Sequence, residues 1–149
     1  MDDPSVLARR LILATTRMDG AYYYFARRSG VPENLLALFY ALADGRPHSQ
    51  KEICQDWLIP KTTINTIVKE QVAVGHLTLR AGEGREKIIC LTEAGRAYAD
   101  KAISALCAAE RAAAERTIAK HGAGFVAAVE DFTEALWREY EACLQQAKE

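Results

Sequence analysis

From Pro60 to His76 the chain reads P-K-T-T-I-N-T-I-V-K-E-Q-V-A-V-G-H, and L-T-L-R (77–80), A-G-E-G-R-E (81–86), K-I-I-C-L (87–91) and T-E-A-G (92–95) follow. Ile64, Ile67 and Val68 are spaced as one apolar side of a helix. Pro60 suits the first turn, where a missing N–H costs nothing, and Gly75 suits the end. Leu77–Arg80 and Lys87–Leu91 read as two short strands. Gly82 and Gly84 permit a hairpin between them, while Arg85 and Lys87 make that hairpin basic. Thr92 with Glu93 behind it is a helix start. The order helix, strand, basic hairpin, strand, helix decides the fold class: mainly α with a small β-hairpin wing, a winged helix-turn-helix.

Upstream of that stretch, Ser49 and Glu52 have the spacing of a capping box. They open a short helix expected to bury Ile53, Trp57 and Leu58 and to stop before Pro60. Two helices joined tightly around Leu58–Ile59 make the helix-turn-helix. Before them, Pro32 opens a helix carrying Leu35, Leu36, Phe39, Tyr40 and Leu42, with Gly45 as its closing glycine. The reading core needs only residues 31–92 of one 149-residue domain.

Residues 1–30 and 93–149 are left as helical arms. Leu7, Leu11, Ala14, Met18, Ala21 and Phe25 form one stripe on a long first helix that starts at Pro4 and Ser5 and ends near Gly30. Tyr22, Tyr23 and Tyr24 are consecutive and cannot share one side of it. Each is either an ordinary packing or surface tyrosine or part of a ligand cleft. An Ala-rich fifth helix runs to about Lys120, where His121-Gly122-Ala123-Gly124 breaks it. The last helix carries Phe125, Val129, Phe132, Leu136, Tyr140 and Cys143/Leu144 along one side. Both stripes need burial, either in an intramolecular bundle or on a second subunit. A two-fold homodimer is the expectation, with two reading heads about one DNA turn apart on a palindromic operator.

The net charge of −1 excludes a wholly basic coat protein. Residues 45–90 hold seven Lys or Arg against five Asp or Glu, whereas 91–149 hold seven against ten. The positive excess thus lies with the reading core. No apolar run is long enough to cross a bilayer. The opening M-D-D-P-S-V-L-A-R-R lacks the pattern of a signal peptide, so a cytoplasmic protein is expected. Cys54, Cys90, Cys107 and Cys143 are scattered, without a C-x-x-C pair or zinc spacing. Packing is the plain role for Cys90 and Cys143. His48, His76 and His121 have no partners at ligand or triad spacing, and no phosphate-cradling loop is present. Neither catalysis, metal nor cofactor is expected.

The chemistry of the reading core points to double-stranded DNA. Thr62, Thr63, Asn65 and Thr66 suit the major groove, since Asn can pair with adenine and Thr methyls can touch thymine methyls. Lys61 and Lys69 suit phosphates, as do Ser49 and Gln50 at the start of the preceding helix. Arg85 suits the minor groove at the wing tip, with Lys87 behind it.

With these residues in view, the chain resembles the MarR family of bacterial transcriptional regulators over nearly its whole length. The resemblance rests on K-T-T-I-N-T-I-V-K, V-G-H-L, E-G-R and L-T-E-A-G in that order. Glu83 stands where the family usually has Asp, and Gln71 where an apolar residue is usual, which leaves the end of the recognition helix with less anchorage. The resemblance implies a homodimeric transcription regulator, usually a repressor, released by a small, often phenolic or anionic, effector. It also implies an effector pocket near Tyr22, Tyr23 and Tyr24 and the fifth helix. Two other readings use the same fold: a winged helix for protein–protein contact, which would expose an apolar patch in place of the Thr/Asn/Lys face, and a thiol-based redox sensor.

Overall fold

The computed structural model describes residues 3–146. Among the described residues, six helices and three strands follow in order: α1 (Pro4–Ser29), α2 (Glu33–Leu42), β1 (His48–Ser49), α3 (Gln50–Asp56), α4 (Lys61–Ala73), β2 (Leu77–Ala81), β3 (Lys87–Leu91), α5 (Glu93–His121) and α6 (Gly124–Gln146). Two compact units divide within α5, one reaching Leu106 and one starting at Cys107.

The first unit is built around the two middle helices and the sheet. Leu38, Phe39 and Leu42 of α2 meet Ile53, Ile59, Ile64, Val68, Leu77, Ile89 and Ala99 in one core. Each large apolar side chain removed from water there is worth about 1.5–3 kcal/mol, enough to fix α3 and α4 on the sheet. Of the expected inward stripe on α4, Ile64 and Val68 are fully buried and Ile67 is half-buried. The sheet order is β1-β3-β2, both pairs antiparallel. Leu77 faces Leu91 and Ala81 faces Lys87 across the hairpin. The expected first strand is one residue longer than its sequence pattern. The third strand, β1, has only two residues, too few for any alternation to announce it.

Several local details depart from the sequence reading. Ala43, in right-handed conformation, caps α2, and Gly45 lies beyond it in a turn whose N–H reaches the Leu42 carbonyl. Trp57 and Leu58 do not join the core. Trp57 lies partly open against Tyr40, ring centroids 5.3 Å apart, and Leu58 is 75% exposed with φ 51°. The chain must reverse sharply between α3 and α4, and the left-handed residue turns Leu58 outward and Ile59 inward. At the start of α1 the cap is Asp3, whose carboxylate accepts the Ser5 N–H at 2.8 Å; that hydrogen bond holds the carboxyl below its ordinary pKa.

Gln71 anchors the end of α4 instead of weakening it. The Gly75 N–H bonds the Val72 carbonyl and the His76 N–H bonds the Gln71 carbonyl, a Schellman closure with Gly75 left-handed at φ 83°. The Gln71 side-chain oxygen also lies 2.9 Å from His76 Nδ1. The His76 ring stacks on Tyr98, which in turn packs against Phe39.

On α1 the stripe read from sequence is not buried within the chain. Leu7 and Met18 are exposed, Leu11 and Phe25 are half-buried, and the one fully buried residue is Ala26. In the second unit, Gly122 at φ 77° ends α5 and α6 follows. Phe125, Val129, Phe132 and Leu136 of α6 are half-buried, whereas Trp137, Tyr140 and Leu144 are exposed. Cys143 is exposed as well, which removes its packing role within the chain. No helix among the described residues is long and apolar enough to cross a membrane.

Candidate nucleic-acid interface

Three elements converge on one cleft of about 430 Å³, lined by Ser49, Gln50, Lys51, Cys54, Gln55, Lys61, Asn65, Arg85, Glu86 and Lys87. Six of these were expected at a DNA surface from sequence: Ser49, Gln50, Lys61, Asn65, Arg85 and Lys87. They come from the start of α3, the start of α4 and the wing, and only the fold makes them neighbours. Four cations face one carboxylate across the cleft, so its walls are positive although the chain as a whole is not. A concave, low-dielectric wall of one sign concentrates counter-charge.

Each wall has a local cause. Ser49 begins α3 with a complete capping box: its Oγ accepts the Glu52 N–H at 3.1 Å, and its own N–H donates to Glu52 Oε2 at 2.6 Å. Ser49 is itself buried, so the box fixes where α3 starts. The Ser49 N–H, and after it the Ser49 hydroxyl, hold the Glu52 carboxyl below its ordinary pKa. Lys61 is the first residue of α4, positioned by Pro60. Asn65 follows one turn later on the same side, half-buried.

The wing carries Arg85 on a tight turn. The Glu86 N–H donates to the Glu83 carbonyl at 3.0 Å, and the Gly82 N–H donates to the Glu86 carbonyl at 3.0 Å. Gly84 has φ 59° and Arg85 a negative φ, which is the II′ pattern whose twist matches the flanking strands. The tip is therefore closed by backbone, and the Asp-to-Glu departure at Glu83 leaves that closure intact.

Thr62, Thr66 and Lys69 lie on the exposed side of α4, outside the cleft wall, and Thr63 is half-buried. The Thr66 hydroxyl donates to the Thr62 carbonyl at 3.1 Å, leaving its methyl as the outward chemistry. Lys51 and Gln55, one turn apart on α3, also line the cleft and were not singled out from sequence. Their i, i+4 spacing behind the Ser49 cap was the signal available.

The three tyrosines separate. Tyr23 lines a hollow of about 310 Å³ with Ala26, Arg27, Gly30, Val31, Pro32 and Glu33, and the Arg27 guanidinium lies 5.7 Å from its ring centre. Tyr22 is half-buried, Tyr24 is exposed, and neither is in that wall. No residue of α5 takes part in it.

A short strand, two helices in a tight turn, a two-stranded wing and long flanking helices define a winged helix-turn-helix protein. Among solved structures, the chain is similar to NMB1585, a MarR family regulator from Neisseria meningitidis, with TM-score 0.71 and 23% identity over 98% of this chain and 99% of that one. It is also similar to the MarR family transcriptional regulator SPO1453 from Silicibacter pomeroyi DSS-3, with TM-score 0.69 and 18% identity over 87% and 94%. A third similar structure is NadR in complex with 4-hydroxyphenylacetate, with TM-score 0.65 and 14% identity over 87% and 91%. No family model matches the sequence, and no curated protein matches it. The fold of this chain is that of MarR-family regulators.

Proposed function

We propose that this protein is a sequence-specific, double-stranded-DNA-binding transcription regulator, acting in the cytoplasm as a homodimeric repressor on a palindromic operator. The observation that carries the proposal is the cleft: Lys61 and Asn65 of α4, Arg85 and Lys87 of the wing, and Lys51 of α3 line one positive concavity. In this reading α4 enters the major groove with Thr62, Asn65 and Thr66 toward base edges. Lys51, Lys61 and Lys69 hold phosphates, and Arg85 enters the flanking minor groove. The single domain then divides into a reading core at 31–92 and dimerisation arms at 1–30 and 93–149. Apolar groups left open on α1 (Leu7, Ile12, Leu13, Met18) and α6 (Trp137, Tyr140, Leu144) support a second subunit. The Tyr23–Arg27 hollow, with an aromatic ring beside a cation, suits a phenolic or anionic effector.

Fluorescence anisotropy with duplexes from the gene's upstream region, against scrambled duplexes and across a salt series, tests this. Tight, salt-sensitive binding to the upstream duplex at two chains per site is expected. Absence of binding at low salt, to that duplex and to duplexes enriched by random-site selection, would sink the proposal.

A further inference from the structure

A second hollow lies on the first unit and is not used by the DNA-binding reading. β1 pairs with β3 only through His48–Ile89 and Ser49–Ile88. The next residue back is Pro47, which has no N–H to continue the ladder. Beside Cys90 and Leu91, where that pairing stops, a hollow of about 150 Å³ opens. Three arginines from separate elements line it: Arg46 from the α2–β1 connection, Arg80 from β2 and Arg96 from the first turns of α5.

The charge there is unbalanced. No Asp or Glu among the described residues lines the hollow. Among the described residues, no hydrogen bond or ion pair involves any of the three guanidinium groups. The carboxylate whose charge reaches Arg46 is that of Asp44, and it is occupied: it accepts the Arg46 backbone N–H at 2.8 Å and lies 3.0 Å from His48 Nε2. Three exposed guanidinium groups lining one small concavity make it a positive site that favours an anion. Guanidinium groups are also the side chains best shaped to grip a carboxylate or phosphate with paired hydrogen bonds.

We propose that this hollow binds a compact multivalent oxyanion, held by Arg46, Arg80 and Arg96. The shared chemistry is two or more negative charges on oxygens within a small radius, as in a free phosphate group or a small di- or tricarboxylate. The hollow is too small for a large aromatic effector and is distinct from the Tyr23 hollow. The proposal stands apart from the DNA-binding reading, because it requires only the fold and the three charges.

Isothermal titration of the full chain with sodium phosphate and, separately, with citrate, at constant ionic strength, tests it; acetate is the monovalent control. One saturable site per chain is expected for at least one of the two anions, and none for acetate. The anion that binds identifies which oxyanion chemistry the site prefers. Arg80→Gln and Arg96→Gln should each weaken binding about tenfold or more, the usual effect of losing a charge-assisted hydrogen bond. Arg116→Gln, outside the hollow, should leave it unchanged. A second readout uses the unaltered protein: the bound anion should slow alkylation of Cys90, followed by peptide mass spectrometry, and leave exposed Cys143 unaffected. No saturable binding in the millimolar range would overturn the proposal, as would an affinity in both arginine variants equal to that of the unaltered protein. Arginine variants that weaken duplex binding while no free anion binds would overturn it too, assigning the arginines to the DNA backbone.

Discussion

Gly95 packs so closely on His76 that a β-carbon at position 95 would lie 1.8 Å from the His76 carbonyl oxygen. That carbonyl also accepts the Thr92 N–H at 3.0 Å, and the Thr92 hydroxyl donates to the neighbouring Gly75 carbonyl at 2.6 Å. The Gly95 N–H completes the set by donating to Thr92 Oγ1 at 3.0 Å. The Leu-Thr-x-x-Gly motif at 91–95 is thus a clamp between the exit of α4 and the start of α5. Gly95→Ala should destabilise the protein by about 3 kcal/mol or more, because the opposing atom is backbone and cannot turn away. Gly20→Ala, with nothing within 4 Å of the added carbon, should stabilise by about 0.5–1 kcal/mol as a helix-interior substitution. Urea unfolding of both variants checks the pair.

Ser49→Ala removes half of the capping box and should cost about 1 kcal/mol. The box is also sensitive to acid. The Glu52 carboxyl is held below its ordinary value by Ser49, so its contribution is fully present above the unfolded-state value. It is lost as pH falls through the lower folded-state value. Glu52→Gln should therefore flatten the acid limb of a stability–pH curve while leaving neutral-to-alkaline slopes unchanged. A Glu52→Gln curve parallel to that of the parent protein throughout would contradict this.

Leu58 holds a left-handed backbone with its side chain in solvent. Leu58→Gly should raise stability by about 0.5–1 kcal/mol, since a β-carbon is disfavoured there and little burial is lost. A loss of stability in thermal unfolding would mean that the exposed side chain has a partner in the assembled protein.

The cleft separates two kinds of contact under the DNA-binding proposal. Arg85→Ala and Lys61→Ala should weaken binding to all duplexes and reduce the salt slope by about one unit each. Asn65→Ala should cost about 1–3 kcal/mol on the preferred duplex and little on a scrambled one. Anisotropy titrations at two salt concentrations distinguish these patterns.

Trp137 and Leu144 on α6 test the dimer. In sedimentation equilibrium the protein should run at twice its chain mass. Trp137→Glu with Leu144→Glu should shift it toward one chain without loss of helical circular dichroism. A parent protein that sediments as a single chain would remove the dimer from the proposal.

The sequence by itself determined the elements of the reading head. Apolar spacing on α4, the Ser49/Glu52 box, the two glycines of the wing and the cap at Thr92 are local patterns, and local hydrogen bonding and sterics enforce them wherever they occur. Tertiary structure decided what those patterns could not contain. The two-residue β1 exists because β3 is there to pair with it. Leu58 turns outward on the left-handed backbone of the α3–α4 reversal, and the His76 ring that meets Gln71 is held by Tyr98, which packs on Phe39. The cleft joining Lys51, Lys61, Asn65 and Arg85, and the hollow joining Arg46, Arg80 and Arg96, both gather residues far apart in the chain. Their charges become neighbours only when the core closes, so no window of sequence holds either site.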